Sequence, residues 1–171
     1  MKYLILGACA LAFLGGLITG KSAFASDDDE VRCLAKNVYF ESRNQSLRGM
    51  IAVALVTMNR VNDSRFPNTV CEVVYQGPVR ESWKTKGTFY PIRNRCQFSW
   101  YCDGKADIVS PHDEDLYGLI LAMSFKIYHD DFDDFTKGAT HYHAYYVQPE
   151  WASTKTMTYT VGDHIFYRWE K

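Results

Sequence analysis

The chain has 171 residues, 47% of them hydrophobic and 23% charged, with a formal net charge of −1. That balance describes an ordinary globular chain of one domain, and it excludes a nucleic-acid binder that works by bulk positive charge.

Residues 1–25 read as a secretory signal. Lys2 gives a basic start, Leu4 to Ile18 an apolar run, and Ala23-Phe24-Ala25 a small-x-small site before Ser26. The run is shorter than the roughly twenty residues that span a bilayer, and Gly7, Gly15 and Gly16 weaken it as a permanent helix, so no lasting membrane span is expected. Leu6-Gly7-Ala8-Cys9 resembles a lipidation site but has too little hydrophobic sequence before it. The expected mature domain, residues 26–171, is exported to the periplasm, cell envelope or exterior. It has lost Lys2 and Lys21 but no acid, and it keeps Cys33, Cys71, Cys96 and Cys102. An even cysteine count in an oxidising compartment favours two disulfides. The short Cys96–Cys102 loop closes most easily, which leaves Cys33 with Cys71.

The acidic run Asp27 to Glu30 is expected to be solvated and to lead into a first helix, whose N-terminus its charge suits. In that helix Val31, Leu34 or Ala35, and Val38 recur at three- and four-residue steps, and Glu41 continues the same face. A carboxylate on an apolar face near the negative end of a helix dipole holds its proton more tightly than a free one. Glu41 is therefore a candidate general acid. On pattern alone an alternative stays open, in which the helix ends earlier and Glu41 pairs with Arg43 or Arg48 at the surface.

Ser46 caps a second helix, marked by Leu47, Met50 or Ile51, Ala54 or Leu55, Met58 and Val61, with few charges between Arg48 and Arg60. It reads as the buried spine of the domain, and Asn62 to Pro67 read as a turn. From Gln76 to Arg95 the sequence has two prolines, two glycines, five basic residues and one acid, with no sustained period. It reads as a long loop or irregular hairpin, in which Trp83, Phe89 and Tyr90 among the cations suit an anionic or sugar-containing ligand. Cys96 to Gly104 follows as a polar-aromatic segment clipped by its own disulfide. Ser110-Pro111 with Asp113, Glu114 and Asp115 starts a helix that Leu116, Leu119 or Ile120, Met123 and Ile127 carry to about His129. Ala139 to Val147, Thr156 to Val161 and His164 to Trp169 read as strands, with Gly162-Asp163 as a hairpin turn. The close histidine pair, His141 and His143, would share one face of its strand, and with no C-x2-C pair no metal site is expected. Helices first and antiparallel strands last give an α+β fold.

NVYFESRN, GMIAVALVTMNRV, RFPNTVCEVVYQ, CQFSWYCDG, GATHYHA, PEWA and GDHIFYRW occur in that order over residues 31–169. In these motifs the chain resembles the cell-wall hydrolase family typified by spore-cortex-lytic enzymes of the SleB and CwlJ type. The resemblance implies a single lysozyme-like α+β domain that cuts the glycan strands of peptidoglycan with one essential glutamate, which falls here on Glu41. It further implies substrate binding by Tyr39 and Arg43 beside that glutamate, by Gln97 and Ser99 of the QFS segment, and by Thr140, His141 and His143 of the THYH segment. A monomer without cofactor or metal is expected. The Gln76 to Arg95 segment is longer and more basic than the link expected in the spore enzymes, and a secreted, disulfide-bearing, single-domain form looks more like a periplasmic wall-remodelling or lysis enzyme.

Hydrolysis of a glycosidic bond with either stereochemical outcome uses two carboxylates, and Asp103 and Glu150 are the partners the other motifs offer. A lytic transglycosylase needs one carboxyl group, which protonates the leaving oxygen and then takes the proton of the sugar's own C6 hydroxyl, closing a 1,6-anhydro ring. The single marked glutamate favours the second mechanism. A thiol amidase of wall peptides would need a free cysteine, and a glycan-binding module with no activity is the non-enzymatic alternative.

Overall fold

The computed structural model describes residues 26–170, and the signal segment expected over residues 1–25 lies outside them. Helix α1, Asp27–Ser42, starts earlier than expected, because Ser26 and Asp29 form a reciprocal capping box around its first turn. The acids thus belong to the helix, and not all of them are solvated: Glu30 is 5% exposed and its carboxylate accepts from the backbone of Val70 and Cys71. That contact secures the start of a short helix the periodicity did not signal, α3, Val70–Val74. Helix α2, Leu47–Val61, is capped by Ser46 and buries Met50, Ala52, Val53, Ala54, Leu55 and Val56, as a spine should. Ser110 accepts from His112 N and opens one 3-10 turn, Pro111–Asp113, before helix α4, Glu114–Tyr128. Of the alternatives at its centre, Ile120 is buried and Leu119 is exposed.

The core forms where α1 packs on α2, α3 and α4, through Leu34, Ala35 and Val38 against Val53, Val56, Val73 and Ile120. Cys33 is joined to Cys71, fastening α1 to α3, and Cys96 is joined to Cys102. Replacing Cys33 and Cys71 by Ala should lower unfolding free energy by about 2 to 4 kcal/mol, since their bond closes a long loop. Urea unfolding measures this, and a loss well under 1 kcal/mol would contradict it.

The Gln76 to Arg95 segment forms a two-stranded antiparallel ribbon, β1, Val79–Glu81, and β2, Phe89–Pro91. The C-terminal sheet has the order β3-β5-β4, with β3 His141–Ala144, β4 Thr156–Val161 and β5 His164–Arg168, all antiparallel. Strand β3 is shorter than its β-prone run because its partner runs out: Ala144 pairs with His164 at the start of β5, and Val147 then turns back onto the Ala144 carbonyl. The β4–β5 turn uses Gly162 at φ +54°, where a Cβ would strike the Gln45 side chain. Gln45 donates to the Asp163 carboxylate and accepts from its backbone N–H, so the chain just after α1 holds this turn. The sheet is thereby set over the C-terminal end of α1. The architecture is α+β with helices first and the three-stranded sheet last, and no helix among the described residues is long and apolar enough to cross a membrane.

Candidate active site

Glu41 lies in the last turn of α1 and keeps some exposed surface, although burial dominates its surroundings. The Tyr142 hydroxyl donates to Glu41 Oε2 at 2.9 Å. Oε1 has no hydrogen-bond partner among the described residues and is not enclosed, so it is the oxygen that can meet a ligand. Burial raises the Glu41 pKa above its ordinary value of 4.5; the Tyr142 hydrogen bond and the charge of Arg60 pull it partly back. Tyr142 itself is driven well above its ordinary range by burial and by the Glu41 charge, so its hydroxyl stays protonated and keeps donating.

Arg60, near the end of α2, is 3% exposed. Its Nε donates to the Thr140 carbonyl at 2.7 Å, and its guanidinium sits 5.4 Å from the Phe66 ring centre and 5.0 Å from that of Phe98. Burial lowers its pKa to about 10, which leaves it a cation at neutral pH. Three elements therefore meet here: α1 brings the acid, α2 a fixed positive charge and β3 a hydroxyl. Behind the acid, Asn37 accepts from Trp100 Nε1 at 3.0 Å and donates to Thr57 Oγ1 at 3.1 Å, which locks the preceding turn of α1 to α2 and to the Cys96–Cys102 clip.

The residues expected to bind substrate are not all in one place. Thr140 is buried, with its carbonyl on Arg60 and its hydroxyl 2.9 Å from His141 Nδ1. Gln97 and Ser99 are exposed, and Phe98 between them is buried under Arg60. Because side chains alternate along β3, Tyr142 turns toward Glu41 while His141 and His143 share the opposite face. There His143 stacks on Tyr167 with Nε2 3.0 Å from its hydroxyl, and both histidines lie against Trp151. Burial and the nearby Arg60, Lys155 and Arg65 charges lower the His141 pKa to about 4, so its ring is neutral at neutral pH. Arg43 is exposed past the end of α1, 5.0 Å from the Tyr39 ring centre. Tyr39 needs correction as a ligand-binding residue: it is 2% exposed, donates to Asp113 at 2.6 Å and accepts from Ser110 N at 3.1 Å. It fixes α1 to the start of α4 and has no surface to offer a ligand.

Sequence reasoning missed Arg60, Tyr142 and Phe98. Asp103 ends the 3-10 turn Ser99–Cys102 beside Lys105, Glu150 is exposed at the start of the turn Glu150–Thr154, and neither is hydrogen-bonded to Glu41. Besides burial, the groups that shift the Glu41 pKa are Tyr142 and Arg60, neither of them a carboxylate. Among the described residues no group of three or more His, Cys, Asp or Glu side chains is placed to hold a metal ion. The arrangement is that of one proton donor with a raised pKa, tuned by a hydroxyl and a cation. Tyr142→Phe removes one of the two groups that lower that pKa. Wherever protonated Glu41 limits a rate, the alkaline limb of its pH profile should move to higher pH, and a move to lower pH would contradict the arrangement.

The described fold is similar to two solved structures. The catalytic domain of the germination-specific lytic transglycosylase SleB from Bacillus anthracis aligns with a TM-score of 0.58 at 23% identity, over 86% of this chain and 98% of that one. The catalytic domain of the Bacillus cereus SleB protein aligns with a TM-score of 0.57 at 25% identity, over 90% and 99%. In sequence, the spore cortex-lytic enzyme of Bacillus subtilis strain 168 is 39% identical over 49 residues, 29% of this chain and 16% of that protein. That of Bacillus cereus is 42% identical over 48 residues, 28% of this chain and 18% of that protein. These matches span less than a fifth of the relatives' own lengths. The family model described as Cell Wall Hydrolase matches residues 44–167, starting just past Glu41, so the reading of that carboxyl group rests on its own geometry. With most of its length under that model and its fold shared with SleB catalytic domains, the chain belongs to the cell wall hydrolase family.

Proposed function

We propose that this chain cleaves the glycan strands of peptidoglycan as a lytic transglycosylase, with Glu41 as its one acid and base. The observation that carries this reading is a largely buried carboxyl group with a raised pKa, one oxygen held by Tyr142, the other open, and no second carboxylate acting on it. Family membership supports peptidoglycan as substrate, and the B. anthracis neighbour, named a lytic transglycosylase, shares the fold. In this reading protonated Glu41 gives its proton from Oε1 to the glycosidic oxygen as the bond to the muramic C1 breaks. The leaving strand departs with a new hydroxyl. The C6 hydroxyl of the same muramic residue then attacks C1 and returns its proton to the Glu41 carboxylate, which Arg60 and Tyr142 have held meanwhile. One C–O bond breaks, one forms, and no water enters. Acting on wall polymer places the protein outside the cytoplasm, in keeping with two disulfides.

All four cysteines among the described residues are disulfide-bonded, so a thiol amidase has no nucleophile there. Digestion of purified peptidoglycan tests the reading: mass spectrometry of the soluble products should show disaccharide-peptides without new free peptide termini. Release of peptide from intact glycan would overturn it, as would binding without solubilisation.

A further inference from the structure

The β1–β2 ribbon is a part of the molecule that the chemistry at Glu41 leaves without a task. Its strands are exposed along nearly their whole length, with Val79, Phe89 and Tyr90 each more than half exposed and Trp83 90% exposed at the tip. Apolar surface of this kind, gathered on one projecting element, marks an interaction site. The tip is a built turn: Lys84 N and Thr85 N both donate to Ser82 Oγ, and Gly87 at φ +82° donates to Glu81 Oε1 at 2.7 Å. That last bond folds the ribbon's one acid back onto its own backbone.

The cations of the segment are exposed, although Arg93 Nε donates to the Asp103 carbonyl at 3.0 Å and Lys84 Nζ lies 5.0 Å from the Trp83 ring centre. Residues 76–95 carry Arg80, Lys84, Lys86, Arg93 and Arg95 in a chain whose net charge is −1. None of the five forms a salt bridge among the described residues. They run from Lys84 and Lys86 at the tip, through Arg80 beside Tyr90, to Arg95 at the base, where a groove of about 490 Å³ lies between the ribbon and the Cys96–Cys102 clip. Gln97 lines that groove, and the next residue, Phe98, is buried under Arg60. Positive charge spread along the element fits an extended polyanion. A membrane plane would meet only the tip.

Resting on the reading of Glu41 as a peptidoglycan-cleaving acid, we propose that the ribbon and its basal groove bind the acidic stem peptides of uncleaved wall. The cations meet free stem-peptide carboxylates, and Trp83 and Tyr90 offer faces for sugars and peptide. Capture is electrostatic in part and weakens as salt rises.

The test is binding to purified, insoluble peptidoglycan by the full chain carrying Glu41→Gln, so that the wall is not digested. Adding Trp83→Ser, Lys84→Gln and Lys86→Gln should weaken binding by about tenfold or more and flatten its salt dependence. Wall whose carboxyl groups have been converted to amides should bind the chain with an unaltered ribbon as weakly, an arm that needs no ribbon variant to fold. Equal binding by both proteins, or to both walls, would overturn the proposal. So would a ribbon-dependent affinity seen only with phosphatidylglycerol vesicles. Clearance of wall by the chain with Glu41 intact reports separately on the reaction: clearance without ribbon-dependent capture sinks this proposal alone, and capture without clearance sinks the chemistry alone.

Discussion

Glu41→Gln should lower wall cleavage at least about 100-fold while leaving the fold intact, the scale of a lost general acid. The amide has the shape of the carboxyl group and can still accept the Tyr142 hydrogen bond, but it cannot give a proton of the needed strength. The same substitution makes a stability prediction whose sign follows from the raised pKa. Folded Glu41 holds its proton more tightly than the unfolded chain, so stability is lost as pH rises from about the ordinary value of 4.5 through the folded-state pKa. Glutamine never ionises and escapes that loss. Thermal unfolding near neutral pH should therefore show the variant at least as stable as the parent, with the difference fading toward pH 4. A variant that folds normally and still clears wall at near the parent rate would remove Glu41 from the mechanism.

Arg60→Met should cost about 3 kcal/mol of stability although methionine fills much of the same space. The loss has three sources. The Thr140 carbonyl loses its donor, Phe66 and Phe98 lose the cation between them, and Glu41 loses the positive charge that offsets its burial. The last of these also moves the proton affinity of Glu41 further up, the direction expected for Tyr142→Phe. Urea unfolding and a pH–rate profile measure the two effects. A stability loss under about 1 kcal/mol, with an unmoved profile, would show that the guanidinium is a spectator.

How far the sequence reached follows from which side chains obey a period. Glu41 was legible because it extends the buried stripe of its helix. The same argument applied to α2 would have found Arg60, since Val53, Val56 or Thr57, and Arg60 recur at three- and four-residue steps and all are buried. The reading of α2 uses Arg60 only to bound a stretch with few charges, and so passes over its place on the buried face. Period-two alternation put His141 and His143 on one face, and by the same alternation Tyr142 had to face the other way. What the pattern could not reveal is which face would meet Glu41, because the long-range contact of Gln45 with the β4–β5 turn sets that. Tyr39 misleads for a related reason: two positions before Glu41 is about 200° around the helix, nearly the opposite face, which directs it to Asp113 and α4. The acidic start of the chain read as solvated because nothing local showed that Glu30 would cap a five-residue helix forty positions away.

Digestion of purified peptidoglycan in heavy-oxygen water reveals whether Glu41 is the sole carboxyl group in the reaction. An attack by the C6 hydroxyl leaves a 1,6-anhydro-muramic end that is one water lighter than a hydrolysed end and carries no label. An attack by solvent leaves a reducing muramic end with one heavy oxygen. Unlabelled anhydro ends as the main product, read by mass spectrometry, are the expected result. Labelled reducing ends as the main product would contradict it and make Asp103 and Glu150 the next residues to replace.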